Sequence, residues 1–201
     1  MSKHKVFISF HHKNDQIYKD ELVKLGENND IFIDGSVDLG EIPEDWTDQH
    51  IREYIRDSHL KDTTVTILLV GTETKNRKHV DWEIYSSMFD GKVNKKSGLI
   101  VILLPSAKSE YFTCSHNGEK SKIYPEQKSW TSINTRLEYE RRYPYLPARI
   151  IDNLLAKNVC ISVINWDKLT VENLRMMIDN AYNCRATNQY DMSRAMKRKN
   201  T

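Results

Sequence analysis

Five short apolar runs alternate along the chain with segments of helical periodicity. The runs are Lys5–Phe10, Asp30–Ile33, Thr64–Val70, Ser97–Leu104 and Val159–Ile164. They are rich in β-branched residues and mostly bounded by Gly, Pro or Asp, which is typical of buried strands. Because the runs are continuously apolar, they indicate a parallel sheet covered on both faces. The pattern therefore predicts an α/β fold.

The segments between the strands predict helices from the spacing of their apolar residues. We expect the first helix to be capped by Asn14 or Asp15 and to end at Gly26. The second should begin at Pro43, because proline suits the first helical position. The last should be capped by Thr170.

One helical segment carries a candidate catalytic residue. Val80, Ile84 and Met88 fall on one face of the segment that follows the third strand, and Glu83 lies next to that face. We therefore expect the Glu83 carboxylate at the edge of the packed stripe, near the C-terminal end of a central strand, where open α/β sheets bind ligands. By residue type alone, a helical glutamate is more often a plain surface residue.

Five strands in this rhythm predict the flavodoxin-like order 2-1-3-4-5. In that order the ligand crevice lies at the C-terminal ends of strands one and three, which end at Phe10 and Gly71. The segments 11–15 and 72–83, together with Asp34 from strand two, should therefore surround one crevice.

Two segments do not follow this alternation of strands and helices. Residues 106–145 mix Tyr, Trp, Ser, Asn and Pro without a clear period, and they are too numerous for an ordinary connection. We expect a long loop or insertion after strand four that covers or borders the crevice. The tail 185–201 is polar and basic, so we expect it to be solvated or loosely attached to a domain spanning 1–184.

Composition narrows the class of protein. The 201 residues, 39% hydrophobic and 29% charged, suit one globular domain. The net charge of +2 gives no bulk argument for a nucleic-acid or membrane partner. No apolar run approaches the ~20 residues that span a bilayer, and the short basic N-terminus does not resemble a signal peptide. We therefore expect a cytoplasmic protein.

The sequence predicts neither a metal site nor a retained cofactor. Cys114, Cys160 and Cys184 are widely spaced without a C-x-x-C motif, so we expect free, mostly buried thiols. A Gly-rich loop that could hold a dinucleotide's pyrophosphate is missing after the first strand.

Three motifs resemble a Toll/interleukin-1 receptor (TIR) domain of the divergent bacterial kind. The segment Val6–Phe10 followed by Asp15 resembles the first-strand signature, and Ile31–Asp34 resembles the second strand. Asp81–Ile84 resembles the segment that carries the family's catalytic glutamate. The resemblance covers roughly residues 5 to 182 and is close to the TIR-like proteins of the Thoeris antiphage system.

The resemblance implies an enzyme that consumes NAD+ as a substrate by cleaving the bond between nicotinamide and ribose. In the Thoeris type, ADP-ribose is joined to itself, and the cyclic isomer signals to a separate NAD-depleting effector. A phage-derived trigger and self-association are further expectations. Glu83 matches the catalytic position, whereas His79 stands where many TIR enzymes have Trp, with Trp82 beside the glutamate. His11 stands at an often basic position.

This chemistry needs few residues. Nicotinamide leaves as a neutral heterocycle and needs no general acid, so one carboxylate, Glu83, suffices to stabilise the ribosyl cation. Phe10 and Trp82 are candidates for stacking on the substrate, His11 for a phosphate contact, and Asp34 for part of the site. Each also has a structural interpretation: core packing for the two aromatics, solvation for the histidine and a turn for the aspartate.

Three other interpretations share the fold. A TIR-like interaction module without activity would leave Glu83 as a surface residue. A nucleoside-processing transferase would also place a glutamate near a ribose. A phospho-receiver would need an acidic pair after strand one and a Lys after strand five, where this chain has two histidines and Asn165–Asp167, so that interpretation is disfavoured.

Overall fold

The computed structural model describes residues 3–36, 42–43, 45–92 and 94–201. The strands are β1 (His4–Ser9), β2 (Phe32–Asp34), β3 (Val65–Val70), β4 (Gly98–Leu103) and β5 (Ile161–Asn165). The helices are α1 (His12–Asn28), α2 (Asp48–Tyr54), α3 (Lys78–Met88), α4 (Asn117–Ile123), α5 (Arg136–Arg142), α6 (Ala148–Leu155) and α7 (Val171–Cys184). Throughout these ranges, no helix is both long enough and apolar enough to cross a membrane.

The sheet has the predicted order β2-β1-β3-β4-β5, and every neighbouring pair is parallel. Helices α1 and α7 pack on one face, and α3 and α6 pack on the other. All residues of β3 and β4 are buried, which explains why their sequences are continuously apolar. The packing over β4 is close: a Cβ on Gly98 would lie 2.1 Å from the carbonyl oxygen of Ala181 in α7.

Both ends of α1 differ from the prediction. Its N-cap is His11, whose Nδ1 accepts a hydrogen bond from the backbone N–H of Asn14 at 3.2 Å. The prediction of Asn14 or Asp15 as the cap is therefore wrong. Gly26 lies inside the helix, and the ring of Phe32 occupies the space where its Cβ would be. Glycine is needed there so that α1 can pack against β2.

The caps of two further helices test the same reasoning. α7 is capped by Thr170, whose hydroxyl accepts from the backbone N–H of Asn173 at 3.1 Å, as predicted. The predicted start of the second helix at Pro43 is wrong, because α2 begins at Asp48 with Thr47 as its N-cap. A threonine hydroxyl that accepts a backbone N–H bond defines this helix start better than the fixed φ angle of proline does.

The segment 106–145 lies along the outer edge of β5. Thr113 forms an antiparallel bridge with Val163, and the backbone N–H of Ser109 donates to the Asn165 side chain at 3.1 Å. The segment also carries α4 and α5. It therefore covers an edge strand whose backbone groups would otherwise be open to pairing with another chain.

The C-terminal tail, residues 185–201, packs against α3 and α6 through a buried ion pair. Arg149 in α6 donates to both carboxylate oxygens of Asp81 in α3, at 2.9 and 3.0 Å. It also donates to the backbone carbonyls of Arg194 and Ala195. The backbone N–H of Lys197 donates to Asp81 at 2.9 Å. The expectation of a loosely attached tail is therefore wrong, because the tail supplies hydrogen bonds that this buried pair requires.

We expect Arg149→Ala to lower the free energy of unfolding by about 3–5 kcal/mol, because it leaves the Asp81 carboxylate buried without its partner. Chemical denaturation followed by circular dichroism measures this. Arg141→Ala is the matched control, since Arg141 pairs with Glu138 on the surface, and such pairs contribute little. Equal midpoints for the two variants would show that the buried pair contributes no more to stability than a surface pair does.

Candidate active site

Glu83 is buried between α3 and β1, with only 2% of its surface exposed. Its carboxylate accepts a hydrogen bond from the hydroxyl of Ser9 at 2.5 Å. Burial raises the pKa of Glu83 to about 8, and the Ser9 hydrogen bond opposes that shift in part. The expectation that Glu83 lies at the edge of the packed stripe is therefore wrong, and at neutral pH its carboxyl group is largely protonated.

Two neighbouring clefts share Phe10, His12 and Glu83 in their walls. Their volumes are about 360 and 330 Å³, within the range of small-molecule sites. The other residues of the first cleft are His11, Lys13, Arg77, His79, Val80 and Asn200. The other residues of the second are Phe7, Ile8, Gln16, Lys19 and Ser36.

The first cleft is suited to an anion. His11 and Arg77 are the N-caps of α1 and α3, so both helices present their positive ends there. His11 Nε2 and Arg77 Nε are buried and have no hydrogen-bond partner within the described residues. Lys13 adds a second cation to the wall. Donors of this kind at helix N-termini are the groups with which proteins commonly hold phosphate oxygens.

Two histidines of the first cleft are neutral at physiological pH. The pKa of His11 is lowered by burial and by the nearby charge of Arg77. The pKa of His79 is lowered by burial and by the charges of Lys78 and His12. These side chains therefore serve as neutral hydrogen-bonding groups.

The walls of the crevice are joined by Asp15, Gly71 and Thr74. The Thr74 hydroxyl lies 3.4 Å from an Asp15 carboxylate oxygen and accepts the backbone N–H of Gly71 at 2.9 Å. A Cβ on Gly71 would lie 2.7 Å from the same carboxylate, so a side chain at the end of β3 would displace Asp15. Burial raises the pKa of Asp15. The contacts fix the start of α1 against the end of β3.

The structure brings three of the five sequence-predicted residues together at the clefts. Glu83 and Phe10 lie in the walls of both, and His11 lies in the first. The ring of Phe10 stacks on His12, with centroids 4.5 Å apart and an angle of 11° between the planes. His12 thereby covers one face of the Phe10 ring, which is only 4% exposed.

The other two predicted residues lie behind the walls. Trp82 is 1% exposed, stacks on His79 with centroids 5.0 Å apart, and donates to the Lys197 carbonyl at 2.7 Å. Asp34 forms an ion pair with Lys19 at 3.1 Å. Neither Trp82 nor Asp34 is among the described residues that line the clefts. Direct contact of these two side chains with a substrate stays a prediction.

Sequence reasoning missed Ser9, Arg77 and Asn200. Alternation along β1 places Phe7 and Ser9 on the α3 side, so the polar residue in this apolar run was a usable signal. Asn200 carried no signal, because it reaches the first cleft from the far end of the tail, where its side chain accepts the backbone N–H of Lys78 at 2.9 Å.

The prediction that segment 106–145 borders the crevice is wrong. Of the residues described, none from this segment lines either cleft beside Glu83. The segment turns back along β5, at the other side of the sheet from β1, because its backbone pairs with that edge strand.

A parallel sheet in this order, with a buried glutamate between β1 and α3, is consistent with a TIR-like domain. The chain belongs to the Thoeris ThsB TIR-like family, because the family model described as Thoeris protein ThsB, TIR-like domain, matches residues 7–109, just over half of its length. It is therefore a TIR-like protein of an antiphage defence family. A comparison with curated proteins finds no match. All five sequence-predicted site residues lie within the matched range.

We expect Glu83→Gln to remove a pH dependence of stability. Between its ordinary pKa of 4.5 and about 8, folded Glu83 keeps a proton that the unfolded chain has lost. The wild type therefore loses stability as pH rises through this window, by at most about 1.4 kcal/mol per unit. Glutamine carries no such proton, so the variant's relative melting temperature should rise from pH 5 to pH 8.

The matched control is Glu126→Gln, because Glu126 is an exposed carboxylate of segment 106–145 and does not line either cleft. Thermal unfolding at half-unit pH steps gives the comparison. A difference between Glu83→Gln and the wild type that stays constant with pH would contradict the raised pKa.

Proposed function

We propose that the protein cleaves NAD+ at the nicotinamide–ribose bond and releases a cyclic ADP-ribose isomer as a signal for a separate NAD-depleting effector. Family membership supports a defence role. The observation that carries the reaction is the Glu83 carboxyl group, buried against Ser9 and shared by two clefts of small-molecule size. NAD+ has two ends joined by a central pyrophosphate, and this shape suits two clefts that meet at the Glu83 carboxyl group.

The proposed reaction begins with loss of nicotinamide. The bond between C1′ and the ring nitrogen breaks, and its electron pair stays on nitrogen, so the leaving group is neutral. Glu83 faces the positive charge that develops on the ribose. A cationic substrate beside Glu83 favours the ionised carboxylate and so lowers its pKa on binding.

The second step is capture of the ribosyl cation at C1′. A hydroxyl group of the adenosine ribose in the same molecule adds there, and Glu83 accepts its proton. Holding both ends of the substrate makes this attack intramolecular and raises its effective concentration. Where water adds instead, the product is linear ADP-ribose.

The remaining residues have binding roles in this proposal. Arg77 and Lys13 hold the pyrophosphate, together with His11 Nε2 at the start of α1. Phe10 stacks on the nicotinamide or ribose. Trp82 positions His79 by stacking. This assigns a recognition role to each of the unpaired donors in the first cleft.

Asp34 has an indirect role in the same proposal. It orients Lys19, which lies in the wall of the second cleft, through their ion pair. Its carboxylate also accepts the backbone N–H of Ser36, another residue of that wall, at 2.9 Å. One carboxylate thus fixes two residues of the wall without needing to touch the substrate.

We expect Glu83→Gln to reduce NAD+ cleavage by at least about 10³-fold, because the amide cannot supply negative charge to the ribosyl cation. Mass analysis of nucleotides from phage-infected and uninfected cells measures both NAD+ loss and the cyclic product. Glu126→Gln should behave as the wild type. Unchanged NAD+ cleavage in a folded Glu83→Gln protein would refute the assignment, and turnover of nucleosides alone would favour the transferase interpretation.

The pH–rate profile should follow the ionisation of Glu83. Because burial raises the pKa of Glu83 to about 8 in the free protein, kcat/KM should rise about tenfold per pH unit below that value and level off above it. The profile of kcat should level off at lower pH, since the cationic substrate favours ionisation. Steady-state assays from pH 5.5 to 9.5 test this, and a kcat/KM that falls as pH rises would contradict it.

A further inference from the structure

Three potential metal ligands lie together outside the candidate active site. They are His116 at the start of α4, Cys160 just before β5 and Cys184 at the end of α7. One ligand atom from each lies within 4.8 Å of the other two. The Cys184 sulfur is 3.8 Å from His116 Nδ1. All three side chains are half-buried, and all lie beyond the range that matches the family model.

These separations suit a tetrahedral zinc ion. Zinc–sulfur bonds of about 2.3 Å and zinc–nitrogen bonds of about 2.0 Å place two sulfur ligands about 3.8 Å apart and a sulfur and a nitrogen about 3.5 Å apart. The Cys184–His116 pair is already close to this geometry. The other two separations are at most 4.8 Å, so they need to shorten by at most about 1.0 Å between the sulfurs and about 1.3 Å between the Cys160 sulfur and the imidazole nitrogen.

We propose that His116, Cys160 and Cys184 bind one Zn²⁺ ion, with a water molecule in the fourth position. Two thiolates and an imidazole form a soft ligand set that selects zinc over magnesium or calcium. The ligands come from three elements of the fold, so the ion links the insertion after β4 to the β5–α7 unit.

The surroundings of Cys160 are ordered by hydrogen bonds. Its backbone N–H donates to the side-chain oxygen of Asn188 at 2.8 Å, and the Asn188 amide donates to the Tyr190 hydroxyl at 2.9 Å. The Tyr190 hydroxyl donates in turn to the carbonyl of Ser97 at 2.9 Å. The backbone at this ligand is therefore held by a chain of buried groups, as zinc sites require of their supporting residues.

The charges around the cluster also favour a cation. Cys184 is the last residue of α7, where the negative end of the helix dipole lies. Glu119 in α4 is buried nearby, where it accepts from Ser162 at 2.5 Å and from Asn180 at 3.1 Å. Its carboxylate contributes negative charge near the cluster. Both of its oxygens already accept hydrogen bonds, so the thiolates and the imidazole are the proposed ligands of the ion.

Zinc binding by the full-length protein tests the proposal. The reduced protein, stripped of metal and kept in a non-thiol reductant, is titrated with Zn²⁺ against a competing chromophoric chelator. We expect one ion per chain. Affinity should fall at least 100-fold in Cys160→Ser and in Cys184→Ser, and by at least 10-fold in His116→Ala. The matched control is Cys114→Ser, which removes a buried thiol outside the cluster and should bind as the wild type does.

Two further measurements keep the test independent of folding. Circular dichroism of each metal-free variant separates loss of a ligand from loss of the fold. X-ray absorption of the zinc-loaded wild type counts ligands directly, and two sulfur atoms with one imidazole nitrogen are expected. A wild type that binds no zinc, a zinc ion without sulfur ligands, or equal binding by the folded Cys160→Ser variant would each overturn the proposal.

Discussion

The buried ion pair between Asp81 and Arg149 is the constraint on which the arrangement of the site depends. Two charges removed from water are tolerated only when all their hydrogen-bonding groups are satisfied. Here the C-terminal tail completes that requirement through the carbonyls of Arg194 and Ala195. The pair thereby fixes α3 against α6. Because Glu83 lies two residues after Asp81 in α3, the pair also fixes the position of Glu83. A single desolvated contact thus connects the end of the chain to the proposed catalytic group.

Glu83 has the opposite electrostatic situation, because its carboxyl group is buried against the Ser9 hydroxyl and forms no ion pair with any residue that the structure describes. Burial raises the pKa of this group to about 8, so its neutral form is favoured at neutral pH in the absence of a bound cation. In the proposed reaction that positive group is the substrate itself, so ionisation of the carboxyl group and binding of NAD+ favour each other. The reduced form of the nucleotide lacks the ring charge, and the same site would discriminate against it without any steric contact.

The parts of the fold that were predictable from sequence are those set by local pattern. Continuous apolar runs define β3 and β4, and the topology then brings Phe10, His11 and Glu83 to one crevice. Contacts between distant segments were not predictable. Nothing in a polar tail indicates that Asn200 reaches the first cleft. The wide spacing of the cysteines along the chain likewise gives no sign that Cys160 and Cys184 lie close together in the fold, beside His116. The burial of Glu83 was underestimated for the same reason, because its hydrogen-bond partner Ser9 lies in β1, 74 residues earlier in the chain.

The course of the tail has a practical consequence for handling the protein. Lys197 bonds to Trp82 through its carbonyl, and Asn200 lies in the wall of the first cleft. Any affinity tag or fluorescent protein fused after Thr201 therefore starts beside the candidate active site. An extension ahead of His4 starts at the opposite end of β1, away from the strand ends where the clefts lie. Attachment there leaves the entrance to the crevice open.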